Sequence, residues 1–179
     1  MQKAWGLLMS GLFLMGYVAS AAPNLEVVAS NLDNPRGLSF GPDGALYVTE
    51  AGKGGNGPCL VNAENKDTCL GTSGAITRIF QGQQERIAMN LPSMAPQDGS
   101  GAIGPQSLAI TSQGVYFLVG LGFDPAVRTD PQKLGNAGGQ NLGQLVYLPL
   151  NGSPQNWDDI AQYEATNNPE SAKVDSNPY

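Results

Sequence analysis

Histidine is missing from all 179 residues of this sequence. Its absence excludes, within these residues, Ser-His-Asp triads, Cys-His dyads and histidine-ligated zinc, because each of these sites needs an imidazole. Histidine general bases are excluded in the same way. The sequence therefore predicts a fold and a compartment more directly than it predicts an activity.

Charged side chains are also scarce. They make up 13% of the sequence, about half the usual share, whereas 41% of the residues are hydrophobic. A packed core is therefore expected, since disordered chains combine low hydrophobicity with high charge. Nine basic and fifteen acidic residues give a net charge of −6, and no two basic residues are adjacent. We therefore expect no binding to nucleic acid or to an anionic membrane surface.

Residues 1–21 have the pattern of a secretory signal peptide. Lys3 supplies a positive charge, residues 4–18 form an apolar stretch, and Ala19-Ser20-Ala21 fits the small-x-small cleavage signal. The alternative is a membrane anchor, but about fifteen apolar residues are fewer than the ~20 that span a bilayer. We expect cleavage before Ala22, a secreted or periplasmic protein, and no membrane association afterwards.

Cys59 and Cys69 are the only cysteines, and both lie in a polar stretch of the chain. In an exported protein such a pair favours a disulfide over a redox or metal site. The alternatives are two free thiols or a metal-binding pair.

Glycine and proline are abundant, with 24 and 13 residues, and they separate short runs of alternating apolar residues. This period is typical of half-buried strands. Gly41-Pro42-Asp43-Gly44 predicts a tight hairpin between strands at 37–40 and 45–50. Further strands are expected at 25–29, 75–80, 85–89, 107–111, 115–120 and 144–148. One short helix is expected from Asp158 through Thr166.

The same order of features occurs twice along the chain. Residues 28–38 lead into the first hairpin, and residues 87–91, followed by 104–108, lead into a second hairpin. A third unit is expected to start at 175–179, with prolines at 35, 105 and 178. Recurring strand units are typical of a β-propeller, and because propellers need about four to eight blades, we expect this chain to be the N-terminal part of a longer protein. The alternative is a complete small β-sandwich.

Five stretches resemble the ScyD/ScyE family, a set of exported NHL-type β-propeller proteins. They are NPRGLSFGPDGALYVTEAG at 34–52, GTSGAITRI at 71–79, GLGFDPAVR at 120–128, YEATNNP at 163–169 and DSNPY at 175–179. The resemblance implies an all-β, six-bladed propeller, of which residues 22–179 supply about the first two blades. It also implies a link to secondary-metabolite biosynthesis of the scytonemin kind. Relatives often have a histidine where this chain has Gln106, so an acid/base role of that position would be lost here.

Candidate site residues lie just after strands, where propellers bind ligands and metals. Glu50 is the first metal candidate, with Asp98 and Asp124 as further oxygen donors for calcium. The alternative for Glu50 is a solvated loop acid. Arg36, Gln106 and Arg128, together with Glu50, are the candidates for ligand binding, although an arginine beside a turn more often ties a carbonyl in place.

Two classes of function follow from these observations. The first is a secreted binding or accessory module that presents its propeller face to a small molecule or a protein. No cofactor is evident from the sequence, and calcium is the one cofactor that the candidate residues could bind. The second is a propeller enzyme similar to quinone-dependent sugar dehydrogenases or calcium lactonases. A structural extracellular protein without a ligand is a third interpretation, and the oligomeric state is not determined by the sequence.

Overall fold

The computed structural model describes residues 24–167. The predicted signal peptide and the predicted third unit at 175–179 lie outside the described residues. Within them strands are the main regular structure and form antiparallel sheets, with little helix, which confirms the expected all-β class. The described sheets do not close into a ring.

Sheet 1 is formed by the first five strands. In spatial order β1, β2, β4 and β5 lie side by side, and β3 pairs with the N-terminal end of β4, on the same edge as β2. Because β4 has 14 residues, it can pair with both strands along one edge. The bounds are β1 Pro35–Phe40, β2 Leu46–Glu50, β3 Cys59–Val61, β4 Asp67–Phe80 and β5 Gln83–Ala95.

Sheet 2 contains the remaining four strands in simple sequence order, each antiparallel to the next. It is followed by one short helix, α1. The bounds are β6 Pro105–Ile110, β7 Gly114–Val119, β8 Gln144–Pro149, β9 Gln155–Asp159 and α1 Ile160–Asn167.

The predicted hairpin of residues 41–44 is present. The Gly44 N–H donates to the Gly41 carbonyl over 2.9 Å, and Gly44 has a φ of 77°, a left-handed conformation that glycine adopts without strain. The Asp43 carboxylate accepts from the Ala45 N–H and so fixes the turn. This hairpin joins β1 to β2.

Two predicted elements differ from the structure, and two strands were not predicted. The expected strand at 25–29 is wrong, because no strand of the described residues pairs with it, and Leu25, Val27 and Val28 remain exposed. The helix starts later than expected, since β9 continues through Asp159. The Asp159 carboxylate accepts from the Gln162 N–H over 2.8 Å and caps the helix in place of Asp158. Strands β3 and β9 were not expected.

Cys59 and Cys69 form a disulfide, as predicted. They lie opposite one another on β3 and β4, with Cα atoms 3.9 Å apart. No free cysteine remains in the chain. The bond fastens the short β3 to the projecting end of β4.

We expect loss of this disulfide to lower the free energy of unfolding by roughly 2 to 3 kcal/mol, because it closes a short loop in the unfolded chain. Urea unfolding of the oxidised protein and of the Cys59→Ser/Cys69→Ser variant would measure the difference. Alkylation followed by mass measurement should find thiols only after reduction. Two alkylatable thiols in the native oxidised protein would contradict the bond.

The two sheets are built on the same plan. β1 begins at Pro35 and β6 begins at Pro105, and in both strands the pairing register shifts just after the proline. Glu50 lies opposite Pro35, and Val119 lies opposite Pro105. Glu50 and Val119 therefore occupy the same position of the repeat. The repeat seen in the sequence is therefore a repeat of structure.

Each sheet has two faces, and the two sheets pack together through faces that are not equivalent in the repeat. One face of sheet 1, the Tyr47 face, comprises Ser39, Tyr47, Thr49, Ile76 and Arg78 by strand register. It packs against the Phe117 face of sheet 2, which comprises Leu108, Ile110, Val115, Phe117, Val146 and Leu148. Tyr47 and Phe117 are each 1% exposed and belong to the same core.

Close approach of β1 to β6 depends on a glycine. A Cβ at Gly37 would lie 2.7 Å from the Gln106 carbonyl oxygen, far inside normal contact distance. The Thr49 hydroxyl donates to the same carbonyl over 2.9 Å and accepts from the Gly37 N–H over 2.8 Å. One side chain therefore joins three strands where the sheets meet.

Candidate functional site

The long connections gather at one end of the sheets. β1 and β6 run in the same direction, since Gly37 lies beside Ser107 and Gly41 beside Ile110. The antiparallel order then places the connections 51–58, 96–104 and 120–143 at one end, which we call the long-loop end. The connections 41–45, 81–82 and 111–113 lie at the other end. All the candidate residues of the sequence analysis lie at or near the long-loop end.

Glu50 is fully buried at the end of β2, although it is charged. Arg86 on β5 donates to both of its oxygens, from Nε over 3.0 Å and from a terminal nitrogen over 2.6 Å. The Thr77 hydroxyl and the Asp33 N–H, at 2.6 Å, donate to the same carboxylate. Every side of the Glu50 carboxylate therefore meets a hydrogen-bond donor.

This surrounding sets the pKa of Glu50. Burial by itself would raise the pKa, but the hydrogen bonds from Arg86, Asp33 and Thr77 favour the charged form more strongly, and the pKa lies below its ordinary value of 4.5. The pKa of Arg86 is raised, chiefly by its hydrogen bond to Glu50. A calcium ion at Glu50 would have to displace this guanidinium, so the arrangement favours a structural role for the pair.

The same network holds the segment before β1. The Asp33 carboxylate lies 3.2 Å from Arg86 and also forms an ion pair with Lys53. The Asn34 side chain donates to the carbonyls of Gly52 and Gly99, over 2.7 and 2.8 Å. Residues 31–34 are thereby tied to the loops of the long-loop end.

Arg128 is also charged and buried, at 2% exposure. Its guanidinium donates to the Leu142 carbonyl over 2.9 Å and to the Pro125 carbonyl over 3.3 Å. It also pairs with the Asp159 carboxylate at 2.9 Å. Burial would raise the pKa of Asp159, but the hydrogen bond from Arg128 lowers it overall. Arg128 fastens the 120–143 connection to sheet 2, and its polar atoms are occupied.

The remaining candidates lie apart from one another. Arg36 donates to the Ala102 carbonyl over 2.9 Å, and the half-buried Gln106 side chain lies against Gly120. Asp124 is exposed and caps a 3-10 turn through the Ala126 N–H. Asp98 is exposed and accepts from the N–H and hydroxyl of Ser100. Glu50, Asp98 and Asp124 are therefore not brought together, and among residues 24–167 no three acidic or cysteine side chains form a metal-binding group.

Sequence reasoning missed the partners of Glu50. Arg86 lies inside an expected strand, and Asp33 lies in a turn-like segment, so neither carries a local signal of an ion pair. The pairing becomes visible only through the register of β2, β4 and β5, which places Thr77 opposite both Val48 and Arg86.

Two clefts lie on either side of β4 at the long-loop end. Their volumes are about 430 and 330 Å³, and they share Leu70, Gly71, Thr72 and Ala137. The first is also lined by Gly54, Gly55, Asn56, Gly57 and Ser73, and the second by Met89, Asn90, Leu91, Pro92, Gly138, Asn141 and Pro154. No lining residue of either cleft is charged.

The polar groups in these clefts are available to a ligand. Asn56, Thr72 and Asn90 are exposed and Asn141 is half-buried, and their carboxamides and hydroxyl can each donate and accept hydrogen bonds. Gly71 lets the backbone of residues 54–55 lie directly against β4, because a Cβ there would lie 2.3 Å from the Gly54 carbonyl oxygen. The clefts can therefore hydrogen bond to neutral polar groups, but they contain no acid or base.

Comparison of the chain with family models, with curated proteins and with solved structures found no match in any of the three. Among residues 24–167, no helix is both long and apolar enough to cross a membrane.

Proposed function

We propose that this chain is a secreted or periplasmic binding or accessory protein of the β-propeller type, as the resemblance to the ScyD/ScyE family implies. The observation that supports a propeller is the packing between the two sheets, which repeat the same strand arrangement. The Tyr47 face of the first sheet packs against the Phe117 face of the second, and these are not equivalent faces of the repeat. Such packing leaves one face of each sheet free to continue in the same way, which is how propeller blades follow one another.

The binding role is supported by the state of the candidate residues. Glu50 and Arg128 have their polar atoms occupied by other protein groups, whereas the clefts beside β4 are lined by exposed carboxamides, a hydroxyl and apolar surface. We propose that the long-loop end binds a small, uncharged ligand with aromatic or peptide-like character. A role beside secondary-metabolite biosynthesis of the scytonemin kind is part of this proposal and rests on the resemblance alone.

N-acetyl-tryptophanamide is a suitable probe, because it is uncharged, aromatic and peptide-like. In a titration of ¹⁵N-labelled protein, we expect the amide signals of residues 54–57 and 71–73 to shift in a saturable manner. The Thr72→Trp variant should abolish these shifts by filling both clefts. Ser112→Trp, at the opposite end of the sheets, is the matched control and should leave them unchanged.

Two results would contradict the proposed function. One is the absence of saturable shifts at the long-loop end in a correctly folded sample. The other is enzymatic turnover, either glucose oxidation with an artificial electron acceptor after addition of quinone and calcium, or lactone hydrolysis.

A further inference from the structure

The sequence places an asparagine directly before a glycine at two positions, Asn56-Gly57 and Asn151-Gly152. Such a pair can react without an enzyme, because the glycine nitrogen can attack the side-chain amide of the asparagine, and glycine has no Cβ to hinder the approach. Asparagine counts among the thermolabile residues of proteins. The two pairs are chemically alike, so a difference between their rates has to come from their surroundings in the fold.

The backbone of Asn56-Gly57 is held in place at the long-loop end. The Gly57 N–H donates to the Leu70 carbonyl over 2.8 Å, and the Leu70 N–H donates to the Pro58 carbonyl over 3.0 Å. The disulfide described above fastens the chain just beyond this segment. The Gly57 nitrogen therefore cannot turn toward the side chain of Asn56 unless these hydrogen bonds open first.

Asn151-Gly152 lies in the turn between β8 and β9, at the opposite end of the sheets. The Leu150 N–H donates to the Gln113 carbonyl over 3.4 Å, which places this turn beside the connection between β6 and β7. Residues 151–153 are all exposed. Water can reach both reacting groups, and the exposed tip of a turn is where the backbone is most mobile.

We infer that Asn151 is a site of spontaneous deamidation and that the fold protects Asn56 from the same reaction. The Gly152 nitrogen, after losing its proton to hydroxide, bonds to the side-chain carbonyl carbon of Asn151. The amide nitrogen takes up a proton from water and leaves as ammonia, and a cyclic imide remains. Water then opens the imide at one of its two carbonyls, which gives aspartate or isoaspartate. The reaction consumes only water.

This distribution keeps the proposed ligand cleft uncharged while the surface charge changes with age. Asn56 lines the first cleft, where its conversion to a carboxylate would introduce a charge into an uncharged lining. Conversion of Asn151 instead adds one negative charge at the far end of a chain whose net charge is −6. Isoaspartate also lengthens the backbone of the turn by one carbon atom.

The test follows both asparagines in one sample of the secreted protein, incubated at mildly alkaline pH in water enriched in ¹⁸O. Each conversion replaces the amide nitrogen with one heavy oxygen, and tandem mass spectrometry after digestion in ordinary water locates it. We expect Asn151 to convert at least about tenfold faster than Asn56, because an opening free energy of about 1.4 kcal/mol already slows a reaction tenfold. The rate at Asn151 should rise with pH, since the Gly152 nitrogen has to lose its proton.

Unfolding provides the first control. In the reduced chain in urea the hydrogen bonds around Gly57 are absent, and the two rates should become similar. Asn151→Gln is the second control, because it keeps an uncharged carboxamide but would have to form a larger ring. Ion-exchange chromatography of the aged natural protein should show a fraction with the charge of Asn151→Asp, and Asn151→Gln should not form this fraction.

Three results would overturn the inference. One is a rate at Asn56 equal to or higher than the rate at Asn151 in the folded protein. Another is a difference that persists unchanged in urea, because the neighbouring residues and not the fold would then set the rates. The third is an acidic fraction of the same size from Asn151→Gln. The reaction needs no ligand, so the titration with N-acetyl-tryptophanamide decides the binding role independently.

Discussion

Replacing Glu50 with glutamine is expected to lower the free energy of unfolding by about 2 to 4 kcal/mol, since removal of one partner from a buried ion pair leaves the other charge uncompensated. Glu50 is fully buried, and Arg86, at 37% side-chain exposure, retains some contact with water, which moderates the loss. The Asp33 N–H also loses a charged acceptor. Urea unfolding of both proteins at neutral pH would measure the effect.

Glu85→Gln is the matched control for this change. Glu85 pairs with Arg78 at 3.4 Å, but its side chain is 62% exposed, so its removal should cost less than about 1 kcal/mol. A Glu50→Gln variant no less stable than this control would show that the carboxylate is not the anchor of the segment before β1.

The stability of the natural protein should also depend on pH through Glu50. Because the folded-state pKa lies below the ordinary value of 4.5, the unfolded chain takes up the proton first as the pH falls. The contribution of Glu50 is therefore complete above about pH 5 and is lost as the pH falls through the folded-state pKa. Asp43 and Asp159, whose pKa values are also lowered, add to the acid sensitivity. The Glu50→Gln variant should show a shallower loss in acid unfolding curves.

Replacing Phe117 with alanine is expected to cost about 3 to 5 kcal/mol, because the change leaves a cavity between the two sheets. The ring is 1% exposed and belongs to the core that includes Tyr47 on sheet 1. Denaturant unfolding, followed by circular dichroism, would give the difference in free energy.

Phe80→Ala is the matched control, because it also removes a phenyl ring but from a half-buried position at the end of β4. The Arg78 guanidinium lies 4.8 Å from the centre of the Phe80 ring. Its cost should be roughly 1 kcal/mol, since part of the ring already contacts water. If both variants lost the same free energy of unfolding, the contact between the two sheets would contribute no more to stability than a contact at the edge of the molecule.

Much of sheet 1 and sheet 2 could be predicted from local chemistry. The Gly41-Pro42-Asp43-Gly44 turn specifies its hairpin through φ preferences and a carboxylate that bonds within the turn. The alternating apolar residues specify which parts of the chain become strands. By contrast, the prediction at 25–29 failed because a strand needs a partner edge, and the described residues offer none to this segment.

The candidate site was less predictable than the fold. The position of Glu50 after β2 was identified, but its role depends on Arg86, 36 residues later in the chain, and on the way β5 pairs with β4. Gly71, Asn56 and Asn141 come from distant loops, and no local motif connects them. Their common cleft exists only because the long connections meet at one end.

The sequence by itself determined the all-β class, the repeat, the principal hairpin and the disulfide pair, because turn chemistry, alternation and cysteine count act over a few residues. Only the tertiary structure decided that Glu50 is a buried anchor, that Arg128 fastens a loop, and that Leu38 and Phe40 are exposed among residues 24–167. These outcomes depend on which strands pair and which faces meet. Burial and charge pairing are properties of groups brought together from distant positions, and no single stretch of the sequence contains them.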